Sequence, residues 1–156
     1  MRWRCALGAE ARLAADHQAL DGLLAEGVEA LESKDAARAH RALDRLWMRL
    51  AVHIRAEHKA LCPAVLAARP DLAASLASLR ADHDVFMETL ARLLPRLKVE
   101  APDFAALRTG LGALAALLAD HNALEEAAVY PAALRDGALD WAVAQELAFL
   151  PERYET

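Results

Sequence analysis

Cysteine is nearly absent from this chain: Cys5 and Cys62 are the only two in 156 residues. They show no C-x-x-C spacing, which excludes a disulfide scaffold, and we expect both to be reduced thiols of a cytoplasmic protein. A basic excess is also missing. The formal net charge is −5, with no Lys/Arg run, so nucleic acid is not an expected partner. Long apolar runs are missing too. The longest, Leu111 to Ala119, is too short to span a bilayer and contains Gly112, so no membrane is expected. The first residues, Met1 to Gly8, carry charge but no apolar stretch of the kind that a secretory signal needs. Aromatics make up only 5% of the chain, while Ala and Leu dominate a hydrophobic content of 56%, a composition that suits helices packed closely together.

What the chain does have is a doubled pattern. His53-Ile-Arg-Ala-Glu57 and His121-Asn-Ala-Leu-Glu125 each place a His and a Glu four residues apart, on one face of a helix. An imidazole and a carboxylate presented together suit a cation such as iron, manganese or zinc. Six residues after each Glu stands a proline, Pro63 and Pro131. Upstream of each pair lies Asp-His: Asp16-His17 in the first half and Asp82-His83 in the second. The gap from lone His to paired His is 36 residues in one half and 38 in the other. The chain therefore reads as two copies of one unit.

Apolar residues recur at three and four spacing almost throughout, without sustained strand-like alternation. The pattern predicts a first helix over Ala9 to Leu31. A second starts at Ser33 or Asp35 and runs to about Ala68. A third follows the Arg69-Pro70-Asp71 breaker and cap and reaches about Leu97. A fourth starts at Ala101-Pro102-Asp103 and ends before Asp136-Gly137. Pro63 and Pro131 fall inside predicted helices and should bend them beside the site. We expect a single domain over 1–156: an all-α, up-down-up-down antiparallel four-helix bundle over about 9–134, then a short helix over about 138–150.

Counting from each predicted turn gives the height of each His. His17 and His53 lie 16 and 20 residues from Ser33, His53 and His83 lie 17 and 13 from Pro70, and His83 and His121 lie 18 and 20 from Ala101. At about 1.5 Å per residue, neighbouring pairs agree within about 6 Å, roughly one turn. All four His should share one level. Leu13, Leu20, Leu50, Leu79, Phe86, Leu117 and Leu124 flank them at three or four spacing, which points them inward. Glu57 and Glu125, buried with them, would be costly without a partner or a metal. The expected metal ligands are thus His17, His53, Glu57, His83, His121 and Glu125. Four His and two Glu suit two ions better than one, two His from one half to each, with bridging carboxylates and positions left open for a small ligand. The Glu-x-x-His motif of ferritin-like di-iron proteins is absent.

The pattern His17 … His53-x-x-x-Glu57 … His83 … His121-x-x-x-Glu125 resembles the hemerythrin-like, HHE cation-binding domain family. The tail Glu125-Glu126-x-x-Val129-Tyr130-Pro131 is close to that family's usual form. The first tail departs from it, with His58 where a second Glu is common and Cys62 where an aromatic is common. The resemblance covers His17 to about Leu134 and implies a non-haem di-iron centre. By that likeness His17 and His53 hold one iron, His83 and His121 the other, and Glu57 and Glu125 bridge. The likeness implies a protein that binds or responds to oxygen, peroxide or nitric oxide. The alternatives are an enzyme turning over peroxide or nitric oxide or delivering iron in damage repair, and a simple iron buffer. Zinc or a single iron are the alternative occupants. The family's invertebrate oxygen carriers have a fifth His one turn from the His of the third helix, and an Asp five residues after the last His. This chain has Leu79 and Met87 around His83, and Glu125 at four, so reversible oxygen carriage is not expected.

The remaining candidates have plainer readings. His40 and His58, among charged neighbours, are expected to be exposed. Asp16, Asp82 and Asp120 are read as solvated charges, with the alternative that they hold an imidazole on a neighbouring helix. Tyr130 is read as packing, with a polar role beside the cavity as the alternative. Trp47, Met48, Phe86 and Met87 are read as core. Trp141, Val143, Leu147 and Phe149 are expected to cap the bundle or make a homodimer contact.

Overall fold

Acidic caps start three of the helices. The Asp35 side chain accepts the Arg38 N–H at 2.9 Å, Asp103 accepts that of Ala106 at 3.0 Å, and Asp136 that of Ala138 at 3.0 Å. Each satisfies a donor that the first helical turn leaves open. The structure is a computed structural model and describes residues 7–149; Cys5 and Leu150 lie outside them. Its long helices are α1 (Ala9–Glu32), α2 (Ala36–Ala56), α4 (Ala73–Arg96) and α5 (Phe104–Leu124), with the shorter α3 (Cys62–Ala68) and α6 (Gly137–Leu147). No strand occurs among the described residues. None of the described helices is long and apolar enough to cross a membrane.

The connection from α1 to α2 is two hydrogen bonds deep. Asp35 N–H donates to Ala30 O at 2.8 Å and Lys34 N–H to Leu31 O at 3.1 Å, the arrangement that closes many helix ends. It requires Lys34 at φ 57°, in the left-handed region that favours glycine. Lys34→Gly is therefore expected to stabilise the fold by about 1 kcal/mol. That would raise the thermal midpoint by about 2–4 °C in a scan of the two proteins.

The expected second helix is in fact three pieces. α2 ends at Ala56, a π turn spans Glu57–Leu61, and α3 follows. The same happens after α5: a π turn over Glu125–Val129 and a 3-10 turn over Tyr130–Ala132. The prolines explain both. A proline in a helix has no N–H to donate and its ring collides with the carbonyl four residues back. In each copy the widened turn comes just before it, with Cys62 N–H reaching Glu57 O and Tyr130 N–H reaching Glu125 O. Two other boundaries also differ from expectation. Asp71 does not cap α4; its carboxylate pairs with the Arg69 guanidinium at 2.6 and 2.8 Å, and a 3-10 turn over Pro70–Leu72 leads into the helix. The last helix begins at Gly137 and ends at Leu147.

α1 packs on α2 and α5, and α4 packs on the same two, so the four long helices form a ring. Gly27 brings α1 close to α2: a Cβ there would lie 2.8 Å from Leu43 Cδ2. Two apolar clusters fill the ring. One includes Leu20, Leu50, Phe86, Leu90 and Leu118; the other includes Leu13, Ala56, Leu79, Val129 and Tyr130. Along α1, α2 and α4 the expected ligand His stands between residues of the two clusters, and on α5 His121 follows Leu118 of the first and precedes Val129 of the second in the π turn beyond. Phe86 is fully buried, whereas Trp47, Met48 and Met87 are half-buried, Trp47 and Met87 packing against the first cluster. On α5 the inward stripe is Leu114, Leu118, His121 and Glu125, which leaves Leu117 and Leu124 exposed, contrary to the flanking pattern read from sequence. α6 lies on α1 and α2, tied by Asp140 accepting the Ala9 N–H at 2.6 Å and by Arg55 donating to Glu146 at 2.6 Å. Val143 is buried there and Leu147 packs partly, but Trp141 and Phe149 are 67% and 61% exposed.

Candidate metal centre

Each long helix contributes one imidazole to the polar layer between the two apolar clusters, and the two π turns contribute the carboxylates. His17, His53, Glu57, His83, His121 and Glu125 are all buried, and the structure brings all six together. His17, His53, Glu57 and Glu125 present one group of mutually close ligand atoms; His83, His121 and Glu125 present another. Glu125 belongs to both. Its Oε2 lies 3.2 Å from His17 Nε2 and its Oε1 lies 3.0 Å from His121 Nε2. Glu57 spans the halves in the same manner, with Oε1 3.2 Å from His53 Nε2 and Oε2 3.2 Å from His83 Nε2.

All four His turn Nε2 inward and hold Nδ1 with an outer partner. His53 Nδ1 donates to Asp16 at 2.9 Å, His121 Nδ1 to Asp82 at 3.2 Å, and His17 Nδ1 to Glu126 at 2.7 Å. His83 Nδ1 lies 2.9 Å from His58 Nε2, within hydrogen-bond reach. Such partners fix the tautomer that leaves Nε2 with a lone pair, the form that binds a cation. Asp16 is itself buried and gripped by Arg49, and Asp82 is about one-third exposed.

Several residues sit otherwise than their sequence context suggests. Asp16 and Asp82 are not solvated helix-face charges; each holds the imidazole of the next helix. Asp120 is exposed, as read. His58 is not exposed: it is half-buried, its ring 5.0 Å from that of His83. It follows Glu57 inside a π turn, where each residue advances less around the axis than in an α-helix, so it stays near the interior. His40 is also half-buried, at the edge of the stripe that holds Ala39 and Leu43. Tyr130 is more than packing. Its hydroxyl donates to Glu57 Oε1 at 2.6 Å and lies 3.1 Å from Glu125 Oε2, 2.9 Å from His17 Nε2 and 3.4 Å from His53 Nε2. The signal for it was present in the sequence: Tyr130 stands next to Pro131 at the end of the second π turn. Glu126 was visible as part of the same tail, but no spacing rule tied it to His17 in the other half.

The electrostatics are those of a cation site holding protons. Burial pulls the His53 imidazole down, but Glu57 and Asp16 outweigh it and lift its pKa to about 10. His83 is lifted to about 9 against the same burial, by Glu125 and Glu57. Burial favours the neutral form of Glu57, yet His53 and His83 draw its pKa to about 2. Glu125, despite burial, is held well below the usual carboxylate range by His121, His17 and His83. Burial and the two glutamates push the Tyr130 hydroxyl far up, so it remains a phenol that donates. Burial likewise raises the free thiol of Cys62 to about 12, an unreactive group.

Two observations show that these residues fit a metal. Glu57 Oε2 is buried and makes no hydrogen bond, so a lone pair aimed into the centre is open. His83 Nε2 and His121 Nε2 face each other at 3.0 Å, a contact that needs a proton or a cation between two lone pairs. An all-helical protein with a buried cluster of His and Glu that could bind metal is the class these features define. A family model described as the hemerythrin HHE cation binding domain matches residues 9–133. The chain belongs to that family. No curated protein and no solved structure matches it.

Proposed function

We propose that the protein holds two iron ions, one at His17 and His53 and one at His83 and His121, with Glu57 and Glu125 shared between them. The bundle is read as up-down-up-down, since short connections join α1 to α2 and α4 to α5, and α3 continues α2 as far as the short turn before α4. The observation that carries the proposal is the inward set of four Nε2 atoms, each with its Nδ1 already engaged. Iron bound there would supply redox chemistry toward oxygen, peroxide or nitric oxide, which we take as the small ligands. The chain's own part is to orient the imidazoles, to keep bulk water out with the apolar clusters on either side, and to hold the Tyr130 proton against Glu57 Oε1. Family membership favours iron over zinc; a centre that takes zinc or one iron is the rival reading. Replacing His53 and His121 together by Ala removes one nitrogen from each position. It is expected to reduce bound iron from two per chain to nearly none by elemental analysis; unchanged iron would refute the assignment.

A further inference from the structure

The two halves repeat not only their inner residues but also their outer partners, and there the repeat breaks. Asp16 and Asp82, each preceding a lone His, hold the paired His of their own half at 2.9 and 3.2 Å. The residue after each inner Glu crosses to the lone His of the other half. Glu126 holds His17 at 2.7 Å, and His58 holds His83 at 2.9 Å. So His17 leans on a carboxylate, whereas His83 leans on an imidazole. A second break runs the same way. Tyr130 follows Glu125 by five residues and sets its hydroxyl 2.9 Å from His17 Nε2 and 3.4 Å from His53 Nε2. The residue five after Glu57 is Cys62, which has no such oxygen to offer the other pair.

We infer that the two metal positions are unequal, and that His58 makes the His83/His121 position the weaker and more exchangeable one. This rests on the two-ion reading above. A carboxylate partner on Nδ1 makes an imidazole more basic and a better donor at Nε2; a neutral imidazole partner orients the ring but adds little basicity. The His17/His53 position has Glu126 and the buried, Arg49-held Asp16 behind it. The His83/His121 position has only the imidazole of His58 and the one-third exposed Asp82. His58 is thus a positioning residue whose identity sets how tightly one ion is kept.

The test is stepwise metal release. Metal-free protein is loaded without air with two equivalents of Fe(II), then mixed with an excess of a chromogenic ferrous chelator. Outer partners of this kind typically change metal affinity about 10–100-fold. The wild type is expected to release its two ions in two phases of equal size, about tenfold or more apart in rate. His58→Glu should slow the fast phase about tenfold, while His58→Gln, a neutral acceptor at the same place, should leave it fast. Glu126→His should instead speed the slow phase. A single phase in the wild type would overturn the inference, as would a fast phase that His58→Glu and His58→Gln change alike. Failure to take up two ions at all would count against the two-ion reading itself. Circular dichroism of each loaded variant separates these results from loss of fold.

Discussion

Glu125→Ala is expected to be the most damaging single substitution in the centre. Glu125 is 3% exposed and touches three imidazoles: His121 at 3.0 Å, His17 at 3.2 Å and His83 at 3.7 Å. It is the one residue common to both groups of potential ligands. In metal-free protein its charge helps keep the His83 imidazole protonated in an interior that otherwise rejects the charge. Removing one partner of a buried ion pair leaves the other uncompensated and costs about 3–5 kcal/mol. Chemical unfolding of the metal-free protein should show that loss, and metal content should fall at both positions. Glu125→Gln keeps the volume but not the charge, so it should lose nearly as much. A Gln variant as stable as wild type would mean that packing, not charge, is what Glu125 contributes.

The second large effect is pH dependence, and it has two opposed limbs. His53 and His83 are raised from 6.5 to about 10 and about 9 in the folded, metal-free protein. Their contribution to stability is complete below pH 6.5 and is lost as pH rises through about 9 to 10. Glu57 is lowered from 4.5 to about 2, so its contribution is complete above pH 4.5 and is lost as pH falls toward about 2. Metal-free protein should therefore be most stable between about pH 4.5 and 6.5. A bound metal takes the place of the protons and requires neutral imidazoles, so its added stability should grow with pH. Unfolding at pH 5.5 and pH 9.5, with and without iron, should show a stabilisation by metal that is far larger at the higher pH. Equal stabilisation at both would contradict the link between the imidazole protons and the metal.

The inner six residues were legible because helix geometry turns spacing into position. A His and a Glu four apart share a face, and counting from the breakers puts His17, His53, His83 and His121 at one height; the structure brings their Nε2 atoms around the same two carboxylates. The outer partners were harder to read. Asp16 precedes His17 but serves His53, and Asp82 precedes His83 but serves His121, relations that depend on how neighbouring helices rotate against each other. Glu126 and His58 reach across to the opposite half, which no local pattern encodes. The π turns explain part of the difficulty. An α-helical wheel carried past Glu57 or Glu125 misplaces every later residue, while the charged neighbours of His58 pointed it to solvent and nothing in the local pattern marked Tyr130 as more than packing. The prolines at equal offset marked where the wheel would fail, but not that the answer would be a widened turn rather than a bend. On α5, Leu117 and Leu124 misled because nearly every face of that helix is apolar, so only contact with the other helices selects Leu114 and Leu118.

Whether the buried His/Glu cluster holds a pair of irons is decided by metal content per chain, measured by elemental analysis on protein purified without chelators or a nickel column, together with its absorption spectrum in air. Two irons per chain and a near-ultraviolet band from a bridged ferric pair are expected. Zinc, a single iron or no metal at all would contradict the two-iron reading.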